Sequence, residues 1–219
     1  MMIYTLLKIL LGFLLVFIGL HTLIRIVRHF YKFPIPSAFV SLIDNPFRRR
    51  IQPPDETAAS HGIQPGMKVL EVGPGNGTYS LAAARRIGPE GKLVTIDIEP
   101  SVIERVQGVF KNAGMHTIEV RTADVFALPF EASTFDLVTM IAVIGEIPTP
   151  ERALAEFHRV LKPDGLLAFS ELLLDPDYPL SRSLTNLVES AGFRLKRKAG
   201  NFFCYTLVFD KDNPITSEG

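Results

Sequence analysis

The sequence has 219 residues, enough for one ordinary folded domain with a large core plus a short appendage. Its 23 basic and 23 acidic side chains cancel, but seven basic residues and only one acid, Asp44, fall in residues 1–50, so residues 51–219 carry a net charge of −6. An acidic body matches nucleic acid poorly, because nucleic acid binds basic surfaces. The single cysteine, Cys204, excludes an intrachain disulfide, and the five histidines show no metal-ligand spacing. We therefore expect neither a nucleic-acid partner nor a metal site.

The N-terminal segment is a long apolar run. Between Ile3 and Ile24 the only charged residue is Lys8, and a helix of this length spans about 33 Å, enough to cross the hydrocarbon core of a bilayer. A signal peptide would carry its basic residues before the apolar run, and an interfacial helix would keep a polar stripe. Neither pattern is present. The sequence predicts a transmembrane helix that contacts the bilayer through residues 3–27.

The charges that flank this helix predict its orientation. Arg25, Arg28 and Lys32 follow the apolar run closely, whereas Lys8 alone lies near its start. Basic residues prefer the cytoplasmic side of a membrane. We therefore expect a single-pass membrane protein whose C-terminal body lies in the cytoplasm.

Three segments follow from these patterns: residues 1–33 as the transmembrane anchor with its basic flank, 34–61 as a linker and N-terminal cap segment, and 62–219 as the folded domain. The middle segment is rich in proline and carries the basic triplet Arg48–Arg50. We expect this triplet at a solvated surface or near anionic lipid headgroups. The stretch "DETAASHG" predicts a short helix with Asp55 as its N-cap.

Strand and helix patterns alternate from Met67 onward. Helices are predicted over residues 78–87, 100–114, 150–165 and 181–192, and strands over residues 68–72, 92–99, 117–124, 135–143, 166–173, 193–200 and 201–211. Strands separated by helices pair in parallel through right-handed crossovers, and the last two strands form a closing hairpin. The sequence predicts an α/β fold: a doubly wound, mostly parallel, seven-stranded Rossmann-like sheet.

The first strand runs into a glycine-rich loop, "VLEVGPGNGTYS". The dinucleotide-binding fingerprint G-x-G-x-x-G would need a third glycine where this chain has Thr78. Glu71 precedes the loop within the strand, where it would repel a pyrophosphate and attract a ligand with an ammonium group. The loop therefore favours a cationic ligand over a dinucleotide.

Two further acids end neighbouring strands. Asp97 ends the second predicted strand and can accept hydrogen bonds from ribose hydroxyls, while Asp124 ends the third and can accept one from an exocyclic amine. Parallel strands present their carboxyl ends at one edge of the sheet. An amine-bearing tail, a ribose and a purine together describe S-adenosyl-L-methionine (SAM).

These residues also carry a resemblance. "VLEVGPGNGTYS", "VTIDIEPSVIERV" and "TADVFALPFEASTFDLVTMIAVIGEIPTPERALAEFHRVLKPDGLLAFSE" resemble the class I SAM-dependent methyltransferases, in particular the branch typified by quinone-ring C-methyltransferases, over roughly residues 62–210. The chain departs from the family at Asp164, where a glycine is usual, and at Gly145, where many members carry histidine.

The resemblance implies a set of cofactor-binding residues and SAM as the cofactor. Glycines and an acid are implied at the methionine end, strand-end acids with apolar neighbours at the ribose and adenine, and two residues near the sulfonium. In chain order these are Glu71, Gly73, Gly75, Gly77, Asp97, Ile98, Asp124, Val125, Ile141 and Ala142.

The chemistry expected is methyl transfer, an in-line displacement in which the enzyme mainly aligns and desolvates the reactants. Glu146 is the candidate general base, followed by Glu171, Tyr178 and Tyr205. Because a membrane anchor concentrates the site near lipids, we expect a lipophilic acceptor, either an isoprenoid quinone or an amine-bearing phospholipid headgroup. Two alternatives stay open: a tethered methyltransferase of a soluble small molecule, and a SAM-binding interaction module without catalysis. Aminopropyl transfer is disfavoured because its usual run of acidic catalytic residues is not evident.

Overall fold

The computed structural model describes residues 2–31, 44–115 and 118–212. Lys32 and the first part of the predicted linker lie outside these residues. The helices are α1 (Met2–Phe30), α2 (Pro46–Ile51), α3 (Pro54–Ser60), α4 (Thr78–Ile87), α5 (Pro100–Asn112), α6 (Pro150–Val160) and α7 (Ser181–Ser190). The strands are β1 (Lys68–Val72), β2 (Lys92–Asp97), β3 (Ile118–Thr122), β4 (Phe135–Ile141), β5 (Leu161–Leu172), β6 (Phe193–Gly200) and β7 (Cys204–Lys211).

Within the described residues, the strands form one seven-stranded sheet in the order β3-β2-β1-β4-β5-β7-β6. Strands β1 to β5 pair in parallel, and β7 runs antiparallel to both β5 and β6. The predicted doubly wound sheet with a closing hairpin is confirmed. The chain first builds outward from β1 to β3 and then returns to place β4 on the other side of β1. In such sheets a ligand binds outside the carboxyl ends of the strands at this reversal point.

Both faces of the central strands are buried. Val69 and Leu70 are adjacent in β1, so they point to opposite faces, and both are fully buried. Leu70 packs in one apolar cluster with Phe169, whereas Val69 packs in the other with Leu137. Burial on both faces is why these parallel strands read as nearly continuous apolar runs.

Several element boundaries differ from the sequence prediction by one to three residues, and the junction of α6 and β5 differs by five. Helix α6 ends at Val160 instead of residue 165, because β5 begins at Leu161, which pairs with Phe135 of β4. Pro163 lacks the N–H that a continued helix would need. Helix α3 is capped by Pro53, and Asp55 lies in its first turn instead of at its N-cap.

Among the described residues, the hydrogen bonds that join α1 to the body lie near the C-terminal end of the helix. The described side chains from Tyr4 to Leu20 are exposed, and contacts with the body are made by His21, Arg25 and Arg28, which lie on one helical face. The stretch Tyr4–Arg28 is long and apolar enough to cross a membrane, and an 18-residue window within it has a mean hydropathy of 2.3. The transmembrane placement stays a prediction that rests on length and composition.

Candidate active site

A cavity of about 290 Å³ opens at the carboxyl ends of β1, β2, β4 and β5 and the loops that follow them. It contains nine of the ten predicted cofactor-binding residues and the predicted base Glu146. The exception is Gly77, which is the N-cap of α4 in a left-handed conformation at φ +76°; a Cβ added there would contact Phe110 and Val109. The sheet topology thus brings together at one edge residues that lie up to 75 positions apart, from Glu71 to Glu146.

The glycine loop follows β1 closely along the wall of the cavity. Gly73 has φ +72°, and a Cβ added there would lie 2.5 Å from the Cγ2 atom of Val143. A side chain at this position would therefore be strained and would also collide with its neighbour. Glycine at position 73 lets the backbone of the loop approach both Val143 and the cavity.

Glu71 lies at the buried end of the cavity. Its Oε2 atom accepts a hydrogen bond from the Thr95 hydroxyl at 2.9 Å. Burial raises the pKa of the Glu71 carboxyl, and the hydrogen bond from Thr95 opposes this shift. A cationic group bound nearby would favour the ionised form of Glu71.

The two strand-end acids are held by the turns that follow them. The Oδ1 atom of Asp97 accepts the backbone N–H of Glu99 at 2.9 Å, and the Oδ1 atom of Asp124 accepts that of Phe126 at 2.9 Å. Side chains that bond the backbone two residues on fix tight turns. Burial raises the pKa of Asp97, and the backbone hydrogen bond from Glu99 opposes this shift. Both carboxyl groups line the cavity in fixed orientations.

Backbone strain marks the end of β4. Ala142 has φ +56°, a conformation that residues other than glycine rarely adopt, and its N–H donates to the Ser170 carbonyl at 2.9 Å. Such residues cost about 1–3 kcal/mol and cluster at functional sites. Ala142 and its neighbour Ile141 both line the cavity where the chain leaves the sheet.

The other end of the cavity holds buried ion pairs that the sequence did not reveal. Arg48 of α2 is only 4% exposed, and its Nη1 atom donates to Asp175 Oδ1 at 2.6 Å. Arg28 of α1 donates through Nε to Asp177 Oδ1 at 2.6 Å. The expectation of a surface position is therefore wrong for Arg48. The sequence did contain a local indication of helix α2, because asparagine followed by proline is a common helix start. The Asn45 side chain is the N-cap and accepts the Arg48 N–H at 3.0 Å.

Gly145 fits the segment that follows β5. A Cβ added at Gly145 would overlap the Asp177 carbonyl oxygen and lie 2.7 Å from the Asp177 Cβ. The histidine that many resembling sequences carry has no room here. The loop through Asp177 occupies that space and contributes Asp175 and Asp177 to the cavity.

Of the four candidate proton acceptors, Glu146 and Glu171 line the cavity, and Tyr178 and Tyr205 do not. Glu146 lies 4.0 Å from Arg28 Nη2. Glu171 is 1% exposed, and its Oε1 atom has no hydrogen-bond partner within the described residues. Burial, reinforced by Asp175, raises the pKa of Glu171 well above its ordinary value. The Tyr178 and Tyr205 hydroxyls instead donate to the Phe202 and Pro179 carbonyls.

Comparison with known proteins gives the family. Residues 63–197 match the family described as "Methyltransferase domain". The chain is 30% identical over 140 residues to the ubiquinone/menaquinone biosynthesis C-methyltransferase of Idiomarina loihiensis, covering 64% of this chain and 54% of that one. It is 30% identical over 120 residues to the demethylmenaquinone methyltransferase of Geobacillus stearothermophilus, covering 55% and 51%. The chain thus spans about half the length of these relatives.

A solved structure agrees on the fold. The SAM-dependent methyltransferase from Aquifex aeolicus superposes with a TM-score of 0.75 at 23% identity, covering 80% of this chain and 98% of that one. The fold, the family match and the cavity agree with the motifs of the sequence. The chain belongs to the class I SAM-dependent methyltransferases, and the relatives to which it is similar include quinone C-methyltransferases.

Proposed function

We propose that this protein is anchored in a membrane by α1, with its catalytic body on the cytoplasmic side, and that it methylates the ring of an isoprenoid quinone precursor. One observation carries the proposal: α1 and the cavity share a wall. The segment Leu173–Asp177 accepts hydrogen bonds from Arg25 and Arg28 of α1 and contributes Asp175 and Asp177 to the cavity. An acceptor dissolved in the bilayer would meet such a site at a high effective concentration. The names of the two relatives support a quinone as the acceptor.

The residues of the cavity fit SAM. Because Gly73 has no side chain, a ligand in the cavity can approach the backbone of the loop after β1 closely, and Glu71 lines the same cavity as an anionic partner. We assign Glu71, Gly73, Gly75 and the helix-capping Gly77 to the methionine end. The remaining assignments are Asp97 and Ile98 for the ribose and adenine, Asp124 and Val125 for the adenine edge, and Ile141 and Ala142 for the sulfonium. Bound there, SAM supplies an activated methyl group.

The chain's own residues would align the acceptor and exclude water. Phe126, Val143, Ile147 and Pro148 line the cavity with apolar surface suited to a ring. Methylation of a ring carbon replaces a C–H bond by a C–CH₃ bond, so one proton must leave the ring. We assign the acceptance of that proton to the Glu146 carboxylate.

Glu171 offers a second polar contact to the acceptor. Glu171 lines the cavity, its buried Oε1 atom has no protein partner among the described residues, and its raised pKa favours the protonated carboxyl. A protonated carboxyl can donate a hydrogen bond, as an oxygen of a quinol or quinone ring requires. Glu171 would thereby orient the ring, while Glu146 takes the proton.

The test uses the full-length protein reconstituted in vesicles that contain a demethylated isoprenoid quinol and phosphatidylethanolamine. SAM with a labelled methyl group is added, and the label is followed by mass spectrometry in quinones, phospholipids and the aqueous phase. The proposal expects label in the quinone fraction, and Glu146→Gln should lower the rate with SAM binding retained.

The other fractions distinguish the alternatives. Label in the amine headgroup would replace the quinone by a phospholipid acceptor. Label found only in water-soluble products, when cell extract supplies them, would indicate a tethered small-molecule methyltransferase. SAM binding without transfer to any fraction would indicate an interaction module, and each of these three results would overturn the quinone assignment.

A further inference from the structure

A group of exposed apolar side chains lies beside the end of α1. Leu174 follows β5, and Phe202 and Phe203 form the tip of the β6–β7 hairpin; they are 47%, 59% and 64% exposed. The Leu173 N–H donates to the Phe203 carbonyl at 2.7 Å, which joins the hairpin tip to the segment after β5. The two phenylalanine rings contact each other edge to face, with centroids 5.7 Å apart. We call Leu174, Phe202 and Phe203 the apolar rim.

The apolar rim is at the same level as the last turns of α1. The His21 Nε2 atom lies 3.0 Å from the Leu174 carbonyl, and Arg25 donates to the Leu173 carbonyl at 2.7 Å. Arg25 also stacks over the ring of Tyr178, whose hydroxyl donates to the Phe202 carbonyl. These contacts attach the rim to one face of α1 between His21 and Arg25.

The length of α1 sets where a bilayer would end. The exposed part from Tyr4 to Leu20 spans about 25 Å at 1.5 Å per residue, less than the roughly 30 Å of a typical hydrocarbon core. The charge of Lys8 shortens the uninterrupted apolar part further. The hydrocarbon must therefore extend to the level of His21, where α1 first touches the body and where the apolar rim is exposed.

A basic residue accompanies the rim. Lys198 near the end of β6 is exposed, precedes the hairpin tip by four residues in the sequence, and donates to the Ser181 hydroxyl at 2.8 Å. An apolar hairpin tip on a strand that carries a cation is suited to the boundary between acyl chains and anionic headgroups. Scattered apolar residues on a surface need no explanation, but here they are grouped at the level that the helix length gives for the boundary.

We propose that the apolar rim docks into the headgroup–acyl boundary of the bilayer beside α1 and forms a second membrane contact. This inference rests on the proposed placement of α1 across the membrane. The segment that carries Leu174 continues to Asp175 and Asp177 in the cavity wall, so docking sets the cavity against the membrane surface. An acceptor could then pass from the bilayer to the site without crossing water.

Single-tryptophan variants test this directly, because the chain contains no tryptophan. Phe203→Trp probes the rim, Phe13→Trp probes the middle of α1, and Gln107→Trp is the exposed control on α5, which packs against β3 at the far end of the sheet. The full-length variants are reconstituted in vesicles of phosphatidylcholine and phosphatidylglycerol. Their fluorescence is quenched by lipids with a spin label near the top of the acyl chain, by lipids with a spin label near its end for Phe13→Trp, or by iodide in the buffer.

Phe203→Trp should be quenched by the spin-labelled lipid and protected from iodide, while Gln107→Trp should show the reverse. Equal iodide quenching of these two variants would overturn the docking. Phe13→Trp separates the two proposals: lipid contact there without contact at position 203 refutes docking alone, whereas its absence refutes the membrane placement of α1. Methyl transfer is not measured, so a wrong acceptor would leave these results unchanged.

Discussion

The substitution Asp97→Asn tests the assignment of the ribose site with little disturbance of the turn. Asparagine keeps an oxygen that can accept the Glu99 N–H, which Asp97 now binds at 2.9 Å. It replaces the second carboxylate oxygen by an amide NH₂, which cannot accept a hydrogen bond from a hydroxyl. Asp97→Ala would remove both, so a loss of binding could then reflect an altered loop.

The expected loss follows from one charge-assisted hydrogen bond. Such a bond contributes about 1.5–3 kcal/mol, which corresponds to a roughly 10- to 160-fold rise in the Kd for SAM. At a ligand concentration 100 times the original Kd, binding stabilises a protein by about 2.7 kcal/mol, and a 30-fold weaker Kd would reduce this to about 0.9 kcal/mol. For a domain of this size the ligand-induced rise in Tm should fall from about 5–11 °C to about 2–4 °C.

The assay compares Tm with and without SAM, and calorimetric titration gives the Kd. Asp136→Asn is the matched control, because Asp136 accepts hydrogen bonds from the Lys68 N–H and the Lys162 ammonium near the amino end of β4, away from the cavity. The control should alter the Tm of the free protein while the SAM-induced rise stays as in the wild type. A full rise in Asp97→Asn would refute the ribose assignment.

Three further predictions concern the walls of the cavity. Gly73→Ala should destabilise the protein by at least about 1–2 kcal/mol and abolish SAM binding, because φ is +72° and Val143 lies in the way; wild-type Tm and Kd would contradict this. Arg48→Met should cost about 3–5 kcal/mol in denaturant unfolding by leaving Asp175 buried without its partner, and adding Asp175→Leu should recover part of the loss. Burial already raises the pKa of Asp175, and without Arg48 the folded variant should bind a proton at Asp175 more tightly than the unfolded chain does. The Arg48→Met variant should therefore lose stability as pH rises above about 4, the ordinary pKa of an aspartate. Denaturant unfolding at several pH values would reveal or exclude this trend. Glu171→Gln should match the stability of the wild type at acidic pH and exceed it above neutrality. A carboxyl whose pKa is raised in the folded state makes the protein less stable as pH rises, whereas an amide does not. Identical pH profiles of stability would show that Glu171 is not held protonated.

The meeting of the predicted cofactor-binding residues at one cavity could be inferred because they lie at the ends of strands or directly after them. Glu71, Gly73, Asp97 and Asp124 each occupy a position fixed by local spacing, and parallel pairing brings the strand ends to one edge. Alternating strands and helices likewise predicted the sheet. No long-range information was needed for either inference.

The ion pairs at the other end of the cavity could not be predicted in this way, because they are long-range contacts. Arg48 and Asp175 are 127 residues apart, and Arg28 and Asp177 are 149 apart. Single-sequence spacing does not indicate which acid such an arginine meets. The predicted end of α6 at residue 165 was wrong for a related reason, because the long-range pairing of Leu161 with Phe135 outweighs the local helical pattern.

The contacts of α1 also affect how a water-soluble version of the protein should be designed. Removing the whole helix would delete Arg28 and leave the nearly buried Asp177 without its cation, so an inactive truncated protein would say nothing about lipid. A deletion that stops at Leu20 keeps the contacts that His21, Arg25 and Arg28 make with the body. This shorter deletion would remove the membrane tether without removing the ion pair at the cavity, so its effect on activity would report on tethering alone.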